Sequence, residues 1–264
     1  MPVFKWKGKK IFYQQTGKGE PIIFLHCWLG NHSFYRHQIS MLRKDFTCIS
    51  FDLPGHGVSE KTGEYGPVPF SGIVSAFIRQ QPFKGRRFIL VGHSLGGMTA
   101  MQTALDNPDR IKALILIDTS SNLRGHLGQD IATPLTLLVA PLLTKGLKST
   151  GIDLTAVHPL CGIKIRRFIK AETGKVSDEV FREVLKGIIS FNVQKRLKEI
   201  QVPTLIIVGT SDIYTDIRHA LTMRVRIRHS RLALIPGAGH MGILEQPLVT
   251  NKKIRDFLVS NGLQ

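Results

Sequence analysis

The segment Phe88-Ile-Leu-Val-Gly-His-Ser-Leu-Gly-Gly97 constrains this chain more than any other, because an unbroken apolar strand runs into Gly92-x-Ser94-x-Gly96 and then into a helical pattern. A serine at the apex of so tight a strand-to-helix turn is held in a strained backbone conformation. Small residues are needed two positions before and two after it, where strand and helix crowd together. Gly92 and Gly96 supply them. The turn pushes the Ser94 hydroxyl clear of the sheet, and the helix starting near Leu95 aims free N–H groups and its positive dipole end at the same point. That is a place where an oxyanion would be stabilised.

A serine hydroxyl is a poor nucleophile at neutral pH, so the elbow predicts a base and an orienting acid elsewhere. Thr204-Leu-Ile-Ile-Val-Gly209 reads as a buried strand with Asp212 on the loop at its end, and Arg231-Leu-Ala-Leu-Ile-Pro236 as another, followed by His240. A loop histidine with an ordinary pKa near 6.5 can take the serine proton and return it to a leaving group. Two other carboxylates compete for the acid's place: Asp216, placed within the following helix, and Asp118, after the strand Ile111–Ile117. The Gly209-x-x-Asp212 spacing favours Asp212. The chain order Ser, Asp, His differs from those of chymotrypsin and subtilisin.

With these motifs the chain resembles the α/β-hydrolase fold superfamily, in its serine-nucleophile, esterase-like branch, over nearly its whole length. Four further stretches carry the resemblance. His26-Cys-Trp-Leu-Gly30 resembles the family's oxyanion segment, and Phe51-Asp-Leu-Pro-Gly-His-Gly-Val-Ser59 its Asp-x-x-Gly-x-Gly-x-Ser loop. Asn107-Pro-Asp-Arg110 ends the helix after the elbow in the family manner, and Gly239-His-Met-Gly-Ile-Leu-Glu-Gln-Pro247 resembles the histidine loop. The resemblance implies a mainly parallel sheet flanked by helices. It also implies oxyanion donors at the backbone N–H groups of Trp28 and Leu95. Cys27 stands where the family pattern has glycine, and a positive φ there would strain the loop. His26 is expected to fix this loop by hydrogen bonding, Asp52, Gly55 and Gly57 to shape the loop after their strand, and His56 and His93 to be bystanders.

The rest of the chain fits that class. Continuous apolar runs at 22–26, 46–51, 88–91, 111–117, 205–208 and 232–235 read as strands buried on both faces, with an opening hairpin over 3–15. Helical patterns at 33–43, 97–106 and 248–259 fall between most of them, which argues an α/β fold. The regularity breaks between Ser120 and Glu199, which predicts a core of residues 1–119 and 200–264 and a helical cap insertion over 120–199. The cap is expected to hold apolar helical material at Ile131–Leu143 and a more polar helix at Asp178–Lys186. In open α/β sheets the site lies at the carboxyl ends of the strands, so an insertion there roofs it and selects substrate.

At 264 residues and 42% hydrophobic composition the chain suits one such domain. Met1 to Phe12 has no continuous apolar segment of the secretory type. No apolar run reaches the roughly 18 residues of a membrane span, the nearest being broken by Pro134 and Pro141. Cys27, Cys48 and Cys161 lack metal-ligand spacing, and the first two are placed in strands. They read as reduced thiols in a cytoplasmic protein. Neither a metal cluster nor a Gly-rich dinucleotide loop points to a cofactor. The net charge of +17 is read first as a solvated surface, with an anionic substrate or an acidic membrane surface as the other accounts. No basic stretch is interleaved with stacking aromatics, so no specific nucleic-acid partner is expected.

The leading expectation is a cofactor-free serine hydrolase acting on a small-molecule acyl substrate: a carboxylic ester, thioester or lactone. Ser94 attacks, His240 relays the proton and Asp212 holds the imidazolium. A first rival keeps the three residues but performs carbon–carbon lyase chemistry on an anionic substrate, as in the menaquinone-pathway synthase that the chain also resembles. A second is a non-catalytic, ligand-binding member of the fold.

Overall fold

The computed structural model describes residues 2–80, 83–126, 157–173 and 175–263. Among them eight strands form one sheet, β1 (Val3–Trp6), β2 (Lys9–Thr16), β3 (Glu20–Leu25), β4 (Phe46–Phe51), β5 (Phe88–His93), β6 (Ile111–Ile117), β7 (Thr204–Gly209) and β8 (Ser230–Ile235), in the order β1-β2-β4-β3-β5-β6-β7-β8. The β1–β2 hairpin joins β4 antiparallel, and from β4 to β8 every pairing is parallel. Strand order reverses between β3 and its neighbours β4 and β5. This is the switch point outside which α/β sheets place their sites.

The period-2 alternation of the strands divides the core into two layers. Ile23, Leu25, Leu90, Leu114, Leu116 and Ile206 face the helices α2 (Pro67–Arg79) and α3 (Leu95–Asp106). Ile22, Phe24, Ile89, Val91, Ile115 and Ile207 face α1 (Arg36–Leu42) and the C-terminal helix (Pro247–Ser260). Both layers are buried, which is why β3 to β7 read as continuous apolar runs. The exception is β8. As the edge strand it exposes Arg231 and leaves Leu234 38% accessible, in place of the burial on both faces that its apolar run predicts. Cys27 lies not in a strand, as expected, but in the loop after β3, while Cys48 is in β4.

Between β6 and β7 the described residues include helices α4 (Ile163–Thr173) and α5 (Asp178–Ser190). Ser177 caps α5 by accepting from the Val180 N–H, and its buried stripe of Val180, Phe181, Val184, Leu185 and Ile188 packs into the first core layer. Gly66 (φ 110°) and Gly187 let α5 approach the start of α2, where a Cβ on Gly66 would lie 2.9 Å from the Gly187 Cα. The Phe181 ring then stacks 4.5 Å from Trp28, over the carboxyl ends of the strands. The helix expected over Ile131–Leu143 lies outside the described residues. A sixth helix, α6 (Ile217–Arg226), joins β7 to β8, and the C-terminal helix is α7. Among the described residues no helix is long and apolar enough to cross a membrane.

At the elbow, a Cβ on Gly96 would overlap the Leu25 carbonyl oxygen, which already accepts from the Tyr35 hydroxyl at 3.0 Å. The Leu25 carbonyl is backbone of the central strand β3 and cannot yield. Gly96→Ala is therefore expected to cost at least about 3 kcal/mol, lowering the midpoint of thermal unfolding by roughly 6–12 °C. Calorimetry or circular dichroism checks this. A shift within 2 °C would mean that strand and helix are not so closely apposed.

Candidate active site

Ser94 joins β5 to α3 with φ 54° and ψ −117°, a conformation that costs a non-glycine residue about 1–3 kcal/mol. Its surroundings hold it there. The Ser94 N–H donates to the Ile117 carbonyl at 2.9 Å, and its carbonyl accepts from Gly97 N–H, Met98 N–H and the Thr119 hydroxyl, the last at 2.7 Å. Only the side chain remains uncommitted to the turn.

The structure brings Ser94, His240 and Asp212 into one hydrogen-bonded chain. The Ser94 Oγ lies 2.9 Å from His240 Nε2, and His240 Nδ1 lies 2.8 Å from Asp212 Oδ2. Asp212 is held by four donors: Tyr214 N–H and Thr215 N–H on Oδ1, and the Thr215 hydroxyl and His240 on Oδ2. The histidine loop is shaped by Glu245, which accepts from Gly239 N–H and Met241 N–H. His93 Nε2–H donates to the His240 carbonyl at 2.6 Å. His93 was expected to be a bystander; instead it fixes the backbone of the residue that contacts Ser94.

Electrostatics follows from this packing. Burial works to raise the Asp212 carboxyl, but the charge and hydrogen bond of His240 and the bonds from Thr215 and Tyr214 outweigh it and bring the group to about 2. Burial works to lower His240, but Asp212 outweighs it and holds the imidazole above its ordinary 6.5. A histidine acting as base must be unprotonated, so rate should fall with acidification through a pKa above 6.5. His26, His56 and His93 are pushed by burial to about 4, 3 and 3, so they stay neutral across that range. The pH profile of kcat/KM is accordingly expected to show one acid limb, with its midpoint above 6.5. A midpoint below 6 would contradict a His240 stabilised by Asp212.

The competing carboxylates are placed elsewhere. Asp216 caps α6 by accepting from the Arg218 N–H at 2.9 Å and pairs with the Arg218 guanidinium, so it stands before the helix and not within it. Asp118 follows β6 with φ 43°; its Oδ1 accepts from Gly209 N–H at 2.8 Å, and Oδ2, 3.9 Å from His93 Nε2, has no hydrogen-bond partner among the described residues. Burial, reinforced by the nearby Asp212 charge, raises it well above the usual carboxylate range.

Trp28 lies in the loop after β3, and Leu95 takes the first position of α3. Among the described residues neither backbone N–H donates to a protein acceptor. The loop is a turn closed by Gly30 N–H to the Cys27 carbonyl at 3.0 Å, and its positive φ of 65° falls on Leu29. Cys27 is not among the positive-φ residues, so the strain expected there does not arise. Burial raises its thiol to about 12, which excludes a thiolate at neutral pH. His26 Nδ1–H donates to the Cys27 carbonyl at 2.7 Å while Nε2 accepts from Leu53 N–H at 2.9 Å, tying the β3 loop to the β4 loop. In the latter, Asp52 accepts from His32 and from Val58 N–H, and Gly57 (φ 52°) leaves room for its carboxylate. Among the described residues no cluster of three His, Cys, Asp or Glu side chains is arranged to hold a metal ion.

Comparison with known proteins agrees with this architecture. The family model for the alpha/beta hydrolase fold matches residues 20–149. A pimeloyl-[acyl-carrier protein] methyl ester esterase of Nitrosospira multiformis is 24% identical over 260 residues, covering 90% of this chain and 94% of that protein. Monoacylglycerol lipase abhd6-A of Xenopus laevis is 23% identical over 271 residues, covering 93% and 78%. A solved structure described as an N-acyl homoserine lactone degrading enzyme superposes with a TM-score of 0.77 at 27% identity, covering 97% of this chain and 100% of that one. The chain has the alpha/beta hydrolase fold.

Proposed function

We propose that the protein is a serine hydrolase that cleaves a carboxylic ester, thioester or lactone through an acyl-enzyme on Ser94. The observation that carries this reading is the chain from Ser94 Oγ through His240 to Asp212 at 2.9 and 2.8 Å, on a serine held at positive φ. His240 accepts the Ser94 proton as Oγ attacks the carbonyl carbon, and the Trp28 and Leu95 N–H groups stabilise the tetrahedral oxyanion. His240 then donates the proton to the departing alkoxide or thiolate. Water, deprotonated by His240, releases the acid and restores Ser94. Two oriented donors at the point of developing charge contribute substantially, about 100- to 1000-fold in rate for each one lost. Similarity to esterases, a lipase and a lactone degrading enzyme supports the substrate class.

The 120–199 insertion is proposed to cap the site and select the acyl group, with the Trp28–Phe181 pair forming one wall. The test is hydrolysis of p-nitrophenyl esters from acetyl to palmitoyl. Turnover with an optimum chain length would support the reading and measure the pocket; no turnover across the series by folded protein would overturn it.

A further inference from the structure

We infer that the edge of the sheet opposite the candidate site is a docking surface for an anionic lipid bilayer. Part of the large positive charge is arrayed along one edge of the sheet. Every turn that leads into a parallel strand, from the one before β3 to the one before β8, carries lysine or arginine, and these turns all lie at the amino ends of the strands. From β4 to β8 this edge spans roughly 24 Å at the usual ~4.8 Å strand spacing. That exceeds the ~10 Å screening length at 0.1 M salt, so a single small anion cannot engage it and an extended polyanionic surface can.

A bland account exists for part of the charge. Helices α1, α2, α3, α6 and α7 run back along the sheet, so their C-termini reach the same edge, where cations offset about half a unit of negative charge each. Some of the basic side chains are also neutralised, as in Lys112–Glu20, Arg196–Glu199 and Arg255–Asp45. Both terms leave a surplus. It is densest where α6 turns into β8, at Arg224, Arg226 and Arg228, all exposed and without a carboxylate partner among the described residues, beside the exposed Lys198.

The side chain between the first two arginines decides the kind of polyanion. Val225 is 83% exposed and stands between Arg224 and Arg226 in the last turn of α6. An exposed aliphatic residue flanked by arginines inserts at a bilayer interface while the guanidinium groups meet headgroup phosphates and carboxylates. Single-stranded nucleic-acid binding uses large stacking aromatics, and this segment has no Phe, Tyr or Trp. Docking here leaves the carboxyl ends of the strands, about 20 Å away, facing solvent.

The test is co-sedimentation of the full chain with vesicles of phosphatidylcholine alone or with about one-third phosphatidylserine. It is repeated with Arg224→Gln/Arg226→Gln/Arg228→Gln, with Val225→Asp, and with a 30-base-pair DNA duplex as competitor. Binding is expected only to the phosphatidylserine vesicles. It should weaken about 100-fold in the triple variant, since each basic residue near such a surface contributes roughly fivefold, and measurably in Val225→Asp. Unchanged unfolding midpoints by circular dichroism establish that the variants are folded. The proposal is overturned by no binding to the anionic vesicles, by equal binding to neutral ones, by full binding of the triple variant, or by displacement of the vesicles at stoichiometric duplex.

Discussion

Ser94→Ala is expected to lower kcat/KM on any ester the protein turns over by roughly 10⁴- to 10⁶-fold, with what remains coming from the oxyanion donors and substrate binding. The variant should fold normally. Every bond that fixes this turn is made by the Ser94 backbone, to Ile117, Gly97, Met98 and Thr119, and alanine keeps all of them. Loss of rate with an unchanged unfolding midpoint thus separates chemistry from scaffold. Activity within tenfold of the parent would remove Ser94 from the reaction, and rate and stability falling together would point to a purely structural role.

The second large effect is expected from Asp212→Asn, at about 10⁴-fold in kcat. Asp212 Oδ1 takes two backbone N–H groups from Tyr214 and Thr215, so an asparagine there places its oxygen on that side. Its NH₂ then faces the Thr215 hydroxyl and His240 Nδ1, where Oδ2 now accepts at 2.7 and 2.8 Å. A donor at that point stabilises the imidazole tautomer with its proton on Nε2, directed at Ser94, and that tautomer cannot accept the hydroxyl proton. Burst kinetics with p-nitrophenyl acetate read the effect in the acylation step. A loss below tenfold would mean that His240 is oriented by something else, and Asp118 would then be the group to replace.

How much of this was legible in the sequence depends on whether the signal is local. The elbow, β4, β6 and β7 are written as continuous apolar runs because the sheet is covered on both faces, and the positions of Ser94, Asp212 and His240 follow from the loops at the ends of their strands. Helix α2 escapes such reading because it opens Pro67-Val-Pro69, residues that look like breakers but occupy the first turn, where the missing N–H is not needed. Edge strand β8 is apolar for register with β7 while leaving one flank open, a property of topology and not of composition. Thr215 could have been found, since Asp212 followed three residues later by a threonine is a pattern in which an aspartate gathers the next donors. The role of His93 could not, because its partner carbonyl lies 147 residues away in the chain.

An acyl group carried on Ser94 is the step on which the proposed reaction turns. Its most direct test is to mix the protein with p-nitrophenyl acetate, quench in acid within the first turnover and map the adduct by peptide mass spectrometry. An added acetyl group on the peptide carrying Ser94, absent from the Ser94→Ala protein, is the predicted result. Continued p-nitrophenol release with no adduct at Ser94, or with the adduct on another residue, would contradict it.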